Sequence, residues 1–456
     1  MSILIRSNSD TSSIPCSYFT ATWDEIGPIL AYEPNITSAQ AIQTIQYAKL
    51  KLKDGIIFPI YVPLKDILPN YNSSEYLPGI ILSNSEDPTF YFVSGSGSVQ
   101  ERGRTLHKAV EITSKNVQKV IVIVGKMGLN KQNALSFEFD SLFVQKPFRF
   151  FMEYQDYTYA VQDMFVSRAD YFLSANHSQI SMLEKIVFLM DIAAGMKEIH
   201  HNGYYHINLN FRSIYIYQTE SRHKCMIGRL DEINLFSDLP SSETAFLPPL
   251  VYLRAFQPPY DSLQEAFIAH WAPYNFAILA ANLLCNTNFE NLLCNPDIST
   301  KEEYEAIRSQ ILSSCASIPT ESSSEKFIKN IVLSFLRNIL MCNSPVNDSS
   351  IYSIIGFLHT LIELMNLSFN EIIDFFSYTC LNRFTSEELL FQVQNCPDID
   401  LDEQDMSNID SIINSHDNPG IAKTMKFFMD NPESLLTSFS RWKNHIKQSQ
   451  SSYIRV

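Results

Sequence analysis

Three short segments of the chain gather residue types that can do chemistry. In PDIDLDEQD the carboxylates of Asp398, Asp400 and Asp402 alternate, as in a calcium loop that offers side-chain oxygens to the ion. Such a loop also needs glycine at its sixth position and a bidentate glutamate at its twelfth. Counted from Asp398, those positions hold Glu403 and Ile409, so calcium is rejected. No Lys or Arg lies between Cys396 and Ala422, and the acid there reads as a solvated linker or a surface for a basic partner. In VSGSGSVQ, Gly95 and Gly97 are spaced so that backbone amides can cradle a phosphate. The third glycine position is Gln100, however, and the same Ser/Gly composition suits a plain flexible turn. The third segment, HINLNFRS, sets the imidazole of His206, the amides of Asn208 and Asn210 and the hydroxyl of Ser213 within one loop, with Arg229 following. These groups can donate and accept hydrogen bonds, but the loop holds no carboxylate to act as general base or metal ligand.

Composition narrows the classes further. The 456 residues carry 34 basic and 49 acidic side chains, a net charge of −15. That balance argues against a sequence-independent grip on nucleic acid, which needs clustered Lys and Arg on the phosphates. A hydrophobic fraction of 45% and an aromatic fraction of 12% exclude wholesale disorder. No stretch approaches the roughly 20 apolar residues of a spanning helix; the longest runs are Val120 to Val124 and Phe276 to Cys285. The start, MSILIRSNSDTSSIP, has only Ile3 to Ile5 as its apolar run, without the long apolar region of a signal peptide. The expectation is a soluble, cytoplasmic protein. Eight scattered cysteines form no CxxC pair or zinc-like cluster, so free thiols and no structural metal are expected.

The elements that must position these groups change character along the chain. A helix is expected near Ser38 to Leu52, and GIIFPIYVPL, broken by Pro59 and Pro63, suits extended segments. From Thr89 to Tyr154, TFYFVSG, KVIVIVG, LSFEFDSLFV and FRFFMEY are rich in β-branched and aromatic residues and predict a sheet. After Tyr154 the period becomes helical. Leu183, Ile186, Val187, Met190, Ala193, Ala194 and Ile199 make one stripe, stopped at Gly203. Further stripes run from Phe327 to Leu340 and from Ile351 to Ile362.

The stretch DIAAGMKEIHHNGYYHINLNFRSIYIY, from Asp191, resembles the helix, turn and catalytic loop of the protein kinase family, in particular its tyrosine-kinase-like branch. Ile199-His200 stand where the family has its Leu-His pair, Gly203 at the turn, and His206 opens the loop written H-R-D-L-x-x-x-N in the family. MIGRLDEINLF resembles the magnesium-loop segment, with Arg229-Leu230-Asp231 in place of D-F-G. ETAFLPPL is similar to the end of the activation segment, APYNFAILAANLL to the central large-lobe helix, and FLRNILMCNSPVNDSSIYSIIGFL to the closing helices. The resemblance spans about residues 153 to 365 and implies an α+β, bilobal protein-kinase-like fold, a β-rich N-lobe and an α-helical C-lobe. The expected division is 1–84 as an N-terminal extension, 85–152 as N-lobe, 153–365 as C-lobe and 366–456 as an α-helical, partly acidic C-terminal segment.

The same resemblance assigns site positions. Gly95 and Gly97 fall at the phosphate-covering loop, Lys108 at the lysine of the third small-lobe strand or on the surface, and Glu153 at the entry to the hinge. A second register makes Val120 to Val124 the fourth strand and leaves no equivalent lysine. At the catalytic aspartate stands Asn208, at the neighbouring lysine Asn210, at the second magnesium ligand Ser213 and at the D-F-G aspartate Arg229. An amide cannot take the substrate proton, and a guanidinium repels magnesium. Arg229 is read either as a surface arginine or as a fixed charge standing in for the metal. No Asp or Glu occurs from Ile112 to Phe137, where the helix carrying the lysine's partner is expected. Leu250 and Asp348 replace both members of the glutamate–arginine tether, which fits, because losing one alone strands a buried charge. The resemblance thus implies a pseudokinase acting as scaffold or allosteric partner, through protein partners that include an active kinase. It leaves ATP binding open and implies no magnesium. A divergent active Ser/Thr kinase and a helical interaction protein without a nucleotide site are the alternatives.

Overall fold

The computed structural model describes residues 3–4, 20–21, 23–53, 59–68, 79–83, 89–95, 99–101, 104–113, 115–126, 141–146, 148–154, 156–176, 179–206, 209–235, 263–285, 300–317, 323–341, 350–367, 371, 374–376, 378–379, 424, 427–428 and 434–453. Helix and strand are both abundant, and the chain divides into two compact units. Among the described residues no helix is long and apolar enough to cross a membrane.

The first unit comprises residues 1–140, 145–166 and 230–232. A two-stranded ribbon of β1 (Ile3–Leu4) and β2 (Thr20–Ala21) precedes helices α1 (Trp23–Tyr32) and α2 (Ser38–Lys53). Helix α2 begins where the sequence placed it, at a reciprocal cap. The Gln40 amide N–H donates to Thr37 Oγ1 at 3.3 Å, and the Thr37 amide N–H donates to Gln40 Oε1 at 2.9 Å. Then come β3 (Ile60–Pro63), α3 (Leu64–Ile67), β4 (Gly79–Ser83), β5 (Thr89–Val93), β6 (Val99–Glu101), β7 (Arg104–Ile112), β8 (Val117–Lys126), β9 (Phe150–Tyr154) and β10 (Tyr157–Asp163). They form one curled antiparallel sheet in the order β3-β4-β5-β7-β8-β10-β9, with β6 folded back on β7. Both faces are covered, which is why β4 and β5 read as unbroken apolar runs. Side chains alternate between the faces. Ile80, Leu82, Phe90, Phe92 and Val110 pack with Ile26, Ile29, Ala41 and Ile45 of α1 and α2, while Ile81, Tyr91, Val93, Val120, Val122 and Tyr159 fill the other side.

Two expected boundaries move. The cut at residue 84 falls within the β4–β5 pairing, where Ser83 is opposite Thr89 and Gly79 opposite Val93, so the sheet begins upstream. The sheet also continues past Tyr154. Strand β10 pairs with both β8 and β9, and the first unit runs to Val166. The helical period read after Tyr154 thus begins later, beyond β10.

The second unit comprises residues 141–144, 167–229 and 233–456. It contains β11 (Ser167–Arg168), α4 (Ala169–Asn176), α5 (Met182–His201), β12 (Tyr204–His206), β13 (Ile214–Gln218), β14 (His223–Ile227), β15 (Ile233–Leu235), α6 (Leu263–Cys285), α7 (Lys301–Ala316), α8 (Ser323–Met341), α9 (Ser350–Met365) and α10 (Ser434–Tyr453). Strand β13 pairs with β11 and β14, and β12 with β15. Helix α5 opens on a Ser181/Glu184 capping box and ends at Gly203, whose φ of 81° suits glycine. Its buried face is wider than the expected stripe and rotated from it. Met182, Ile186, Leu189, Ile192, Ala193, Met196 and Ile199 are buried, while Leu183, Val187, Met190 and Ala194 are only half-buried. The third stripe appears as Ile354, Phe357, Leu358, Leu361 and Leu364 of α9. Near the end of the chain, Phe375, Phe428, Phe439 and Trp442 form an aromatic cluster, with Trp442 Nε1 donating to Asp374 at 3.0 Å.

Helix α5 is pressed against residues 141–144 at Gly195, where a Cβ would stand 2.7 Å from the Phe143 carbonyl oxygen. That oxygen is held by the Ile227 amide at 2.9 Å and cannot easily give way. Gly195→Ala is expected to destabilise by about 2 kcal/mol in urea unfolding, overpacking outweighing the gain of about 1 kcal/mol in helix propensity. A neutral or stabilising result would show that the approach is loose.

Candidate functional site

The loop and turn singled out from the sequence come together in the second unit. Strand β12 delivers His206, 5% exposed, and its Nε2 lies 3.0 Å from the Gly228 carbonyl oxygen. A carbonyl can only accept, so Nε2 carries the proton and donates. The Gly228 amide in turn donates to the Ser213 carbonyl at 2.7 Å. Residues 210–213 close on themselves. The Asn210 amide N–H donates to Ser213 Oγ at 3.0 Å, the Ser213 hydroxyl and amide donate to the Asn210 carbonyl at 2.8 and 3.0 Å, and Asn210 Oδ1 accepts from the Arg212 amide at 2.8 Å. Both Asn210 and Ser213 are buried. Asn210 Oδ1 and Ser213 Oγ are thus engaged by backbone groups.

Arg229 follows Gly228 with φ of 54°, alone among the described non-glycine residues in the left-handed region. Such a backbone costs on the order of 1–2 kcal/mol and persists only where its surroundings enforce it. Arg229 is 5% exposed, which excludes the surface-arginine reading. Asn208 and Gly97 lie outside the described residues. So do the expected substitutions at Leu250 and Asp348, and the acidic run from Asp398 to Asp417.

The nucleotide-facing positions expected in the first unit fare differently. Gly95 is in the turn after β5, consistent with a loop between two strands, and its amide donates to Glu33 Oε2 at 3.1 Å. Lys108 lies on β7, exposed, with Nζ 5.7 Å from the centroid of the Tyr32 ring. Counted from the strand before Gly95, β7 is the second long strand and β8 the third, so Lys108 takes the surface reading. The segment Val120 to Val124 lies in β8, between β7 and β10. Glu153 is exposed at the penultimate position of β9 opposite Thr158, and the first unit continues beyond it to Val166.

Groups the sequence reading passed over carry much of the electrostatics. Arg104 and Glu232 form an ion pair at 3.6 Å, both nearly buried. Glu111 accepts from Arg149 at 2.7 Å, and burial followed by the Glu111 charge holds the Tyr91 phenol well above its ordinary value. Asp191, 2% exposed, receives Arg222 bidentately at 2.7 Å and the Cys225 amide at 3.0 Å. Burial pushes the Cys225 thiol up, so it stays neutral. A lone acid inside the apolar stripe of α5 was the available signal, since a buried carboxylate requires a partner.

Around His206, Asn210, Ser213 and Arg229 the arrangement supplies amides, a hydroxyl, an imidazole and a guanidinium. These can fix a backbone or hold an anion, and none is a carboxylate that would hold a divalent cation. Among the described residues no group of three or more His, Cys, Asp or Glu side chains gathers at metal-binding distance. No protein-family model matches the chain, and no curated protein matches its sequence.

Proposed function

We propose that this is a protein-kinase-like chain that does not transfer phosphate and works instead as a scaffold or allosteric partner of other proteins, in the cytoplasm. The carrying observation is the closed turn at 210–213, in which Asn210 and Ser213 are engaged with the backbone beside a buried Arg229. Phosphoryl transfer depends on carboxylates that position metal and nucleophile, and Asn208 and Arg229 stand where the resemblance expects them. The order of elements supports the kinase-like part of the reading. A glycine turn follows β5, two long strands follow it, and the sheet is succeeded by α5, the β12 loop and the β13–β14 hairpin, with β15 returning to β12.

The test is transfer of labelled phosphate from ATP by the purified full chain, with magnesium and with manganese, to itself and to general protein substrates. The expected result is no transfer above that of the Asn208→Ala variant. Transfer that Asn208→Ala abolishes would establish an unconventional active kinase instead.

A further inference from the structure

We propose that the exposed face of α10 is a docking surface for an acidic segment, and that its occupant is residues 398–417 of the same chain. Helix α10 contains no Asp or Glu, in a chain with a net charge of −15. One side of the helix packs inward. Leu435, Phe439 and Trp442 are buried, with the Phe375 ring 5.3 and 5.6 Å from the rings of the last two. The opposite side, with Arg441, Asn444, His445, Lys447 and Gln448, is exposed. The carboxylates of the neighbouring segments are already engaged, Glu363 of α9 by Lys443 and Asp374 by Trp442 Nε1. Arg441 and Lys447 have no ion-pair partner among the described residues.

Charge and tether together select the occupant. Between Asp398 and Asp417 stand seven carboxylates and no Lys or Arg. On both sides of this segment the chain is fastened to the aromatic cluster that seats α10. Upstream, the buried Thr379 hydroxyl donates to the Phe375 carbonyl at 2.9 Å. Downstream, Thr424 is buried, and the Phe428 ring stacks on Phe375 with centroids 5.7 Å apart. The chain from Asp417 to Thr424 reaches up to about 25 Å, whereas Trp442 and Lys447 are only about 8 Å apart along the helix. A segment tethered so closely meets the face at an effective concentration of the order of millimolar. A separate acidic protein must exceed that against the repulsion of an acidic chain. The basic partner that the acidic run calls for is thus supplied by the chain itself, and an outside acidic peptide reaches Arg441 and Lys447 only by displacing it.

This surface does not depend on the non-catalytic reading. Phosphate transfer by the wild type would overturn that reading and leave the docking pattern as it is. The experiment couples lysine amines to carboxylates in the full chain with a water-soluble carbodiimide at low salt, and maps the joined peptides by mass spectrometry. Lys443 joined to Glu363 serves as the internal control for a folded helix. The expected result is Lys447 joined to a carboxylate within 398–417, within one copy when isotope-labelled and unlabelled chains are mixed. The yield should fall at least about fivefold in 1 M salt, where the screening length shrinks to about 3 Å. Arg441→Glu should lower it in the same way while the Lys443 control is unchanged, and the salt series carries the test alone if that variant loses the control. Coupling of Lys443 without coupling of Lys447 to 398–417 would overturn the proposal, as would a yield indifferent to salt and to Arg441→Glu. Joined peptides that mix the two isotopes would overturn it too, and make a second copy the occupant.

Discussion

Arg222→Ala is expected to destabilise the second unit by about 3 kcal/mol, with a larger loss than Asp191→Asn at the same position of the network. The reason is asymmetry of burial. The Arg222 side chain is 40% exposed and rehydrates if its partner is lost, whereas the Asp191 side chain is 3% exposed and does not. Removing the arginine leaves a carboxylate in the interior with one remaining donor, the Cys225 amide at 3.0 Å. The nearby Lys224 has its ammonium over the Phe143 ring, 4.3 Å from the centroid. In Asp191→Asn the side chain keeps one acceptor oxygen for the Cys225 amide and loses the charge and one of the two oxygens that accept from Arg222. The pair ties α5 to the β13–β14 hairpin, and that hairpin leads into Gly228, which His206 and Ser213 hold. Urea unfolding of the two single variants and the double variant gives the coupling directly. A coupling below about 0.5 kcal/mol would mean that the pair behaves as an ordinary surface contact.

The parts of the fold that were legible are those whose signal is local. The stretch Ser38 to Leu52 announced α2, the run Val120 to Val124 announced β8, and Gly203 marked the end of α5. What could not be read depended on partners distant in sequence. Strand β10 was missed because FRFFMEY was taken as the last strand, yet Tyr159 and Val161 between β8 and β9 make it central to the sheet. The boundary at residue 84 failed for the same reason, since nothing within residues 79–83 says that they pair with 89–93. At the site, the resemblance put Asn208 and Arg229 where carboxylates are expected, and the structure adds how Asn210 Oδ1 and Ser213 Oγ are used. Glu33 gave no local hint, because its contact with Gly95 spans 62 residues. Of the two readings open for Lys108, its exposed position on β7 suits the surface one.

Lowering the pH from 6.5 to 4 is expected to cost about 3 kcal/mol of stability through His107 alone. His107 lies on β7 and is 4% exposed, and its Nδ1 has no hydrogen-bond partner among the described residues. Burial lowers its pKa from 6.5 to about 4, partly opposed by a hydrogen bond to the Ser94 backbone. In the unfolded chain the imidazole takes up a proton as pH falls through 6.5, and in the folded protein only near 4. Between those values the unfolded state binds more protons, so stability falls as pH falls, at about 1.4 kcal/mol per pH unit. Carboxylates and His200, whose buried imidazole is likewise lowered to about 4, move stability in the same range. The comparison that isolates His107 is therefore wild type against His107→Leu, by urea unfolding at pH 7, 6, 5 and 4. The variant should be near wild type in stability at pH 7 and flatter by about 3 kcal/mol across the window. Parallel profiles would mean that the imidazole is hydrated in the folded state. Because His107 lies on β7, the part of the acid loss that it causes should appear in the sheet-bearing unit, as faster hydrogen exchange in β7.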